Sequence, residues 1–161
     1  MAVWPGPAPA AESARATRYL DAAIQTGRWL ASAAIDTPLG SAWPIVAGQA
    51  DTISATLYGS GAGVAIYLAD LAVITGEADL ANAARGASRF VARSPDEGRH
   101  GLYSGYAGMA LAVAHVGEVL GDEDLVAQGE GMVDLRRRRP PAGRGLEWPP
   151  WPNGRGPWSE L

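Results

Sequence analysis

Asp70 and His115 each interrupt a run of apolar residues, and both side chains titrate. An imidazole can take or give a proton near neutral pH, and it is also a common metal ligand. The two residues stand at one shared position of an internal repeat, which makes them candidates to face a common cavity. Separate hydrogen-bonded roles in a core fit the same pattern. Tyr58 and Tyr103 share a second repeat position, where a phenol could line the mouth of a ring. Recurrence at fixed spacing argues first for packing, because a reaction centre occurs once while a packing solution recurs. None of the four is assigned a catalytic or metal-binding role. His100, beside Arg99 in a polar stretch, reads as solvent-exposed.

Residue types set other chemistry aside. The 161 residues contain no Cys, which removes disulfides, thiolate nucleophiles and every Cys-containing zinc site. Gly61, Gly63, Gly105 and Gly108 sit where a phosphate-cradling loop would sit, but no Gly-Lys-Ser/Thr pattern and no preceding strand accompany them. They read as turns that let inner and outer helices approach closely. Asp122, Glu123 and Asp124 resemble a cation site, and the start of a helix already accounts for such charges through its dipole. Arg136 to Arg139 closes a helix with positive charge in the same way. All 13 cations are Arg, and the formal net charge of -4 gives no reason to expect nucleic acid. The first residues lack the basic start and apolar core of a signal peptide. The longest apolar stretch, 61–75, is broken by Asp70 and too short to span a bilayer. The expected setting is cytoplasmic, with no membrane span.

The elements that must position these residues recur at an offset of 45 with no gap. Thr56-Leu57-Tyr58-Gly59-Ser60-Gly61-Ala62-Gly63 returns as Gly101-Leu102-Tyr103-Ser104-Gly105-Tyr106-Ala107-Gly108. The register continues through Ala65 and Ala110, Ala69 and Ala114, Gly76 and Gly121, Asp79 and Asp124, and Leu80 and Leu125. A period of this size suits a pair of helices per unit. Tyr19, Leu20, Ala23, Ile24, Leu30, Ala34 and Ile35 predict a first amphipathic helix from Glu12. Residues 36–51 form a connector with Pro38, Gly40, Pro44 and Gly48 as breakers. Residues 64–74 and 109–120 are apolar nearly all round, so they read as inner helices buried on most sides. Gly76 and Gly121 stop them. Asp79 and Asp124 are the expected N-caps of amphipathic outer helices, the first running to about Val91. Residues 94–100 read as a loop, and nothing reads as a secure strand.

The two Leu-Tyr-containing motifs, the helices after them, and Thr75-Gly76-Glu77-Ala78-Asp79 with Gly121-Asp122-Glu123-Asp124 resemble the repeats of lanthionine synthetase C-like proteins. Trp43-Pro44 fits as well. The resemblance covers about Arg15 to Val133. It implies an α/α toroid, an inner ring of helices inside an outer ring. It also implies cyclisation of modified peptides, in which a Cys thiol of the substrate adds to dehydroalanine or dehydrobutyrine to give a thioether. In zinc-dependent members the metal is held by Cys, Cys and His and activates the thiol. This chain has no Cys to match those ligands, and it stops about where a third inner helix would begin. No catalytic residue carries over.

The expected fold is therefore all-α, a partial α/α toroid of repeated helical hairpins. Residues 1–10 form a flexible arm, 11–139 the repeats, and 140–161 a Pro-, Gly- and Trp-rich tail with Trp148, Trp151 and Trp158. The expected function is that of a truncated, catalytically incomplete lanthionine synthetase C-like protein. It would need no cofactor of its own and would act on a precursor peptide. The competing reading is a non-catalytic helical-repeat module that binds peptides. An α/α-barrel glycosidase would need an acid/base carboxylate pair, and none is nominated. Self-association through the open edge of the ring is a further expectation.

Overall fold

The structure, a computed structural model, describes residues 9–94 and 100–138. It begins with helix α1, Pro9–Ser32. The helix thus begins at Pro9 rather than near Glu12, and takes in the last two residues assigned to the arm. A proline in the first helical turn loses no bond, because its missing N–H would have had no partner there. Residues 1–8, most of the 94–100 loop and the whole 140–161 tail lie outside the described residues.

The first correction comes at the end of α1. Ala34 and Ile35 were expected to extend the apolar face of this helix, and they do not. The Ala33 N–H donates to the carbonyls of Trp29 and Leu30, and the helix ends. Ile35 instead opens strand β1, Ile35–Thr37, which pairs antiparallel with β2, Gly40–Ala42. The connector therefore contains a two-stranded hairpin that was not expected. Pro38 cannot donate a ladder bond, and the hydroxyl of Thr37 closes the turn. It donates to the Gly40 carbonyl at 2.7 Å and accepts from the Leu39 N–H at 3.2 Å. Just beyond, the buried Trp43 indole donates to the Leu30 carbonyl at 2.8 Å and so tethers the end of α1.

Four helices follow: α2 (Gly61–Thr75), α3 (Ala78–Arg93), α4 (Tyr106–Leu120) and α5 (Glu123–Arg138). The 45-residue offset carries both ends of α2 onto α4, and both ends of α3 onto α5, without a residue's difference. Gly76 and Gly121 stop the inner helices at φ 73° and 63°, in the left-handed region where other residues are strained. Each glycine leaves a single residue before the next helix, and this moves the caps. Asp122, not Asp124, caps α5: its Oδ1 accepts the Leu125 N–H at 3.2 Å. Glu77 takes the equivalent place before α3 and makes no cap bond through its side chain. Asp79 and Asp124 lie inside the first turns, where the helix dipole favours their charge.

The described chain is thus mostly helical, with one short hairpin. Helices α2 and α4 lie side by side, α3 packs on both, and α1 and α5 flank α3. Alanine lets the helices approach closely: Ala62, Ala65, Ala69 and Ala72 of α2 meet Leu80, Ala84, Ala87 and Val91 of α3 in one core. That core continues through Met109, Ala110, Ala112, Val113 and Val116 of α4 to Leu125 and Met132 of α5. Fully burying a side chain such as Leu68 or Leu80 contributes about 1.5–3 kcal/mol. The inner helices are buried or half-buried over most of their length, as expected, but not all round. Val73, Ile74 and Leu111 are more than half exposed, because no further helix covers them among the described residues.

Candidate functional site

Asp70 and His115 meet. They occupy the same position on two adjacent inner helices that run in the same direction, so they stand at the same height. His115 Nε2 lies 2.8 Å from Asp70 Oδ1. Both side chains remain partly open to solvent, at 36% for His115 and 49% for Asp70. With a protonated imidazole the contact is an ion pair, and with a neutral one it is a hydrogen bond. Either way Asp70 fixes the orientation of the ring.

Tyr58 and Tyr103 also meet, but through their backbones. The Tyr58 N–H donates to the Tyr103 carbonyl at 2.8 Å, joining the two loops that lead into α2 and α4. Both phenol rings point outward and are exposed, at 86% and 67%. Asp70 lies nine residues beyond the start of α2, roughly 14 Å along the helix axis at 1.5 Å per residue. The tyrosine loops and the Asp70–His115 pair are therefore two separate features.

The glycines of the leading loops explain this geometry. A side chain on Gly108 would collide with the carbonyl of Leu102, and one on Gly63 would meet that of Leu57 at 2.5 Å. The close approach is between each inner helix and its own leading loop, whereas an approach to an outer helix was expected. Ser60 takes a conformation with φ 143° that favours glycine. The one proton of its hydroxyl is shared between the Trp43 carbonyl at 3.1 Å and the Ser54 carbonyl at 3.4 Å.

A groove of about 500 Å³ lies between the two leading loops and the end of α3. Its apolar wall includes Ile45, Ile53, Phe90 and Met109, and its polar wall includes Ser54, Thr56, Ser94 and Ser104. Tyr58 stands at its edge. The sequence reading missed this groove. The available signal was the alternation of Thr52, Ser54 and Thr56 with apolar residues ahead of the first Leu-Tyr motif.

Of the acidic cluster, Asp122 has a structural partner, and the side chains of Arg136 to Arg139 lie outside the described residues. Asp122 Oδ2 is 3.3 Å from Arg85 Nε, and Arg85 Nη2 also donates to the Leu120 carbonyl at 3.2 Å. The outer helix α3 thereby holds the turn of the following unit. Helix α1 does the same one unit earlier: Arg28 grips Glu77 with Nε and Nη2, at 3.0 and 2.8 Å. The hydrogen bond from Arg28 holds the Glu77 carboxyl below its ordinary value, and Glu77 in turn raises Arg28. His100 is exposed. Among the described residues no group of three or more His, Asp or Glu is placed to hold a metal ion. The zinc implied by the resemblance does not fit the donors present, since the chain has no thiolate and Asp70 occupies one nitrogen of His115. No helix among the described residues is long and apolar enough to cross a membrane. Comparison with known proteins finds no matching family model, no matching curated protein and no matching solved structure.

Proposed function

We propose that this chain is a lanthionine synthetase C-like helical repeat that binds a peptide without cyclising it, its hairpins forming part of an α/α toroid. One observation carries the reading. Two copies of the Leu-Tyr leading loop are stitched together at the same end of adjacent inner helices, and a groove of about 500 Å³ opens beside them. A groove walled by Phe90, Met109, Ile45 and Ile53 and edged with hydroxyls suits an extended peptide with small and apolar side chains. The lack of Cys supports binding without chemistry, because no residue here can hold zinc as the family's cyclases do. The peptide class that the resemblance suggests is a lanthipeptide precursor, handled in the cytoplasm.

The test uses a fluorescent peptide carrying one Cys and one dehydroalanine. Fluorescence polarisation should show saturable binding that weakens at least tenfold in Tyr58→Ala, an exposed residue whose loss leaves the core intact. The peptide's thiol should stay open to alkylation after incubation with the chain. Loss of that thiol would overturn the non-catalytic reading, and absence of binding would overturn the peptide reading.

A further inference from the structure

The backbone ahead of the first Leu-Tyr motif is used on one side only. Pro44 and Ile53 form an isolated antiparallel bridge, and the Ile45 N–H donates to the Thr52 carbonyl at 2.8 Å. In extended backbone the polar groups of successive residues point to opposite sides. Thr52 turns its carbonyl to Ile45, and Ser54 turns its carbonyl to the Gly61 N–H at 3.0 Å, where α2 begins. Ile53 lies between them. Pro44 has no N–H, so the bridge is of the kind in which the two facing residues exchange no bond, and the N–H and C=O of Ile53 point away from Pro44. Neither those groups nor the N–H and C=O of Ala55, two residues on, have a hydrogen-bond partner among the described residues.

This segment is also a wall of the groove, since Ile53, Ser54, Ala55 and Thr56 line it in succession. Its hydroxyls are engaged within their own loop and do not cover the open backbone. Ser54 Oγ and Thr56 Oγ1 are 3.1 Å apart, Ser54 Oγ accepts the Thr56 N–H at 3.3 Å, and Thr56 Oγ1 accepts the Gly59 N–H at 3.0 Å. They hold the segment in place and leave its edge free. Backbone N–H and C=O groups need partners, and an open edge of extended chain is a template for another chain. No charged side chain is among the described residues that line the groove, so it offers a peptide's charges no partner.

We propose that the groove holds its peptide as an added β-strand along residues 53–55, so that the site selects an uncharged segment able to lie extended and reads its main chain more than its side chains. The inference rests on the peptide-binding reading of this groove and specifies how the peptide is held. Alternate N–H groups of the peptide then bond to the protein, while those between them face away. The Ile53 N–H becomes a binding group that the fold itself does not use.

The probe is an uncharged peptide, Ser-Ala-Thr-Leu-Ser-Ala-Thr, with a fluorophore at its N-terminus and an amide at its C-terminus. Its one Leu fixes the register against the apolar wall. It is titrated with the full chain by fluorescence polarisation, beside versions methylated on one backbone nitrogen each. Saturable binding is expected, weakened about tenfold by methylation at alternate positions and unchanged by methylation at those between, as the loss of single hydrogen bonds requires. On the protein side, Ile53→Pro removes the N–H without costing the fold a bond, and Ile53→Ala removes the side chain but keeps the N–H. The proline variant should bind about tenfold more weakly than the alanine variant. Ala55→Pro takes its place should Ile53→Pro lose its helical circular dichroism. Equal effects of methylation along the peptide, or equal affinities for the two Ile53 variants, would overturn the added strand and leave the peptide reading standing. Failure of the unmethylated probe to bind would overturn main-chain recognition, and the peptide carrying Cys and dehydroalanine then decides separately whether the groove binds peptides at all.

Discussion

Ser60 holds a backbone conformation, φ 143° and ψ -60°, that costs a residue with a side chain of order 1–3 kcal/mol. The single proton of its hydroxyl, shared between the Trp43 and Ser54 carbonyls, offsets part of that cost. Ser60→Ala keeps the strain and loses the shared hydrogen bond, whereas Ser60→Gly loses that bond and relieves the strain. Urea titration should therefore rank the alanine variant below the glycine variant by about 1–3 kcal/mol, and the reverse order would show that Ser60 is not strained. The two leading-loop glycines provide a second comparison. A methyl group at Gly108 runs into the Leu102 carbonyl more closely than one at Gly63 runs into that of Leu57. Gly108→Ala should be the more damaging, with both costing about 1–3 kcal/mol as overpacked positions do. Equal midpoints for the two variants would mean that the loops yield freely. The Asp70–His115 contact lies at this scale too. Its two members were legible as one repeat position, but the bond between them was not, because it depends on two parallel helices packing side by side at equal height.

At the scale of elements, the helices were legible because apolar spacing and left-handed glycine stops are both local signals. The β1–β2 hairpin was not, because three residues per strand are too few to show alternation, and Thr37-Pro38-Leu39-Gly40 reads only as a break. The cap of α5 was misplaced by two residues because Asp122 and Asp124 are chemically alike. The choice between them is made by Gly121, which leaves room for one residue before the helix starts. The arginine grips of α1 and α3 on the following turns were also hidden, since Arg28 and Arg85 do not share a repeat position although they do the same work. The Arg28–Glu77 pair makes a pH-dependent contribution with a definite sign. The carboxyl of Glu77 is depressed in the folded state by its hydrogen bond to Arg28. Its contribution is therefore present above the carboxyl's unfolded value and lost as pH falls through the folded one. Chemical denaturation of the chain and of Glu77→Gln across acidic and neutral pH should show a gap in midpoint at neutral pH that closes in acid. Because the pair is exposed, the gap should be small and should shrink in high salt. A gap that widens in acid would contradict the assignment.

For the whole molecule, a chain of repeats is held mainly by contacts between neighbours, so stability should vary with the number of neighbours each helix has. Helices α2, α3 and α4 are packed on more than one side. Helix α5 packs chiefly on α4, and residues 13–22 of α1 are exposed throughout. This asymmetry was only partly legible in the sequence. The offset of 45 announced the repeat, but which flank stays uncovered emerges only when Leu102, Leu111 and Val133 are compared with their counterparts in the first unit. Native-state hydrogen exchange reads such differences directly, because each amide reports the free energy of the smallest opening that exposes it. Amides in the first half of α1 should exchange with free energies near zero. Those of α5 should open below the global value, and those of α2, α3 and the buried face of α4 should set it. A single free energy shared by all five helices would mean that the described chain unfolds as one unit, and that the uncovered flank carries no energetic consequence.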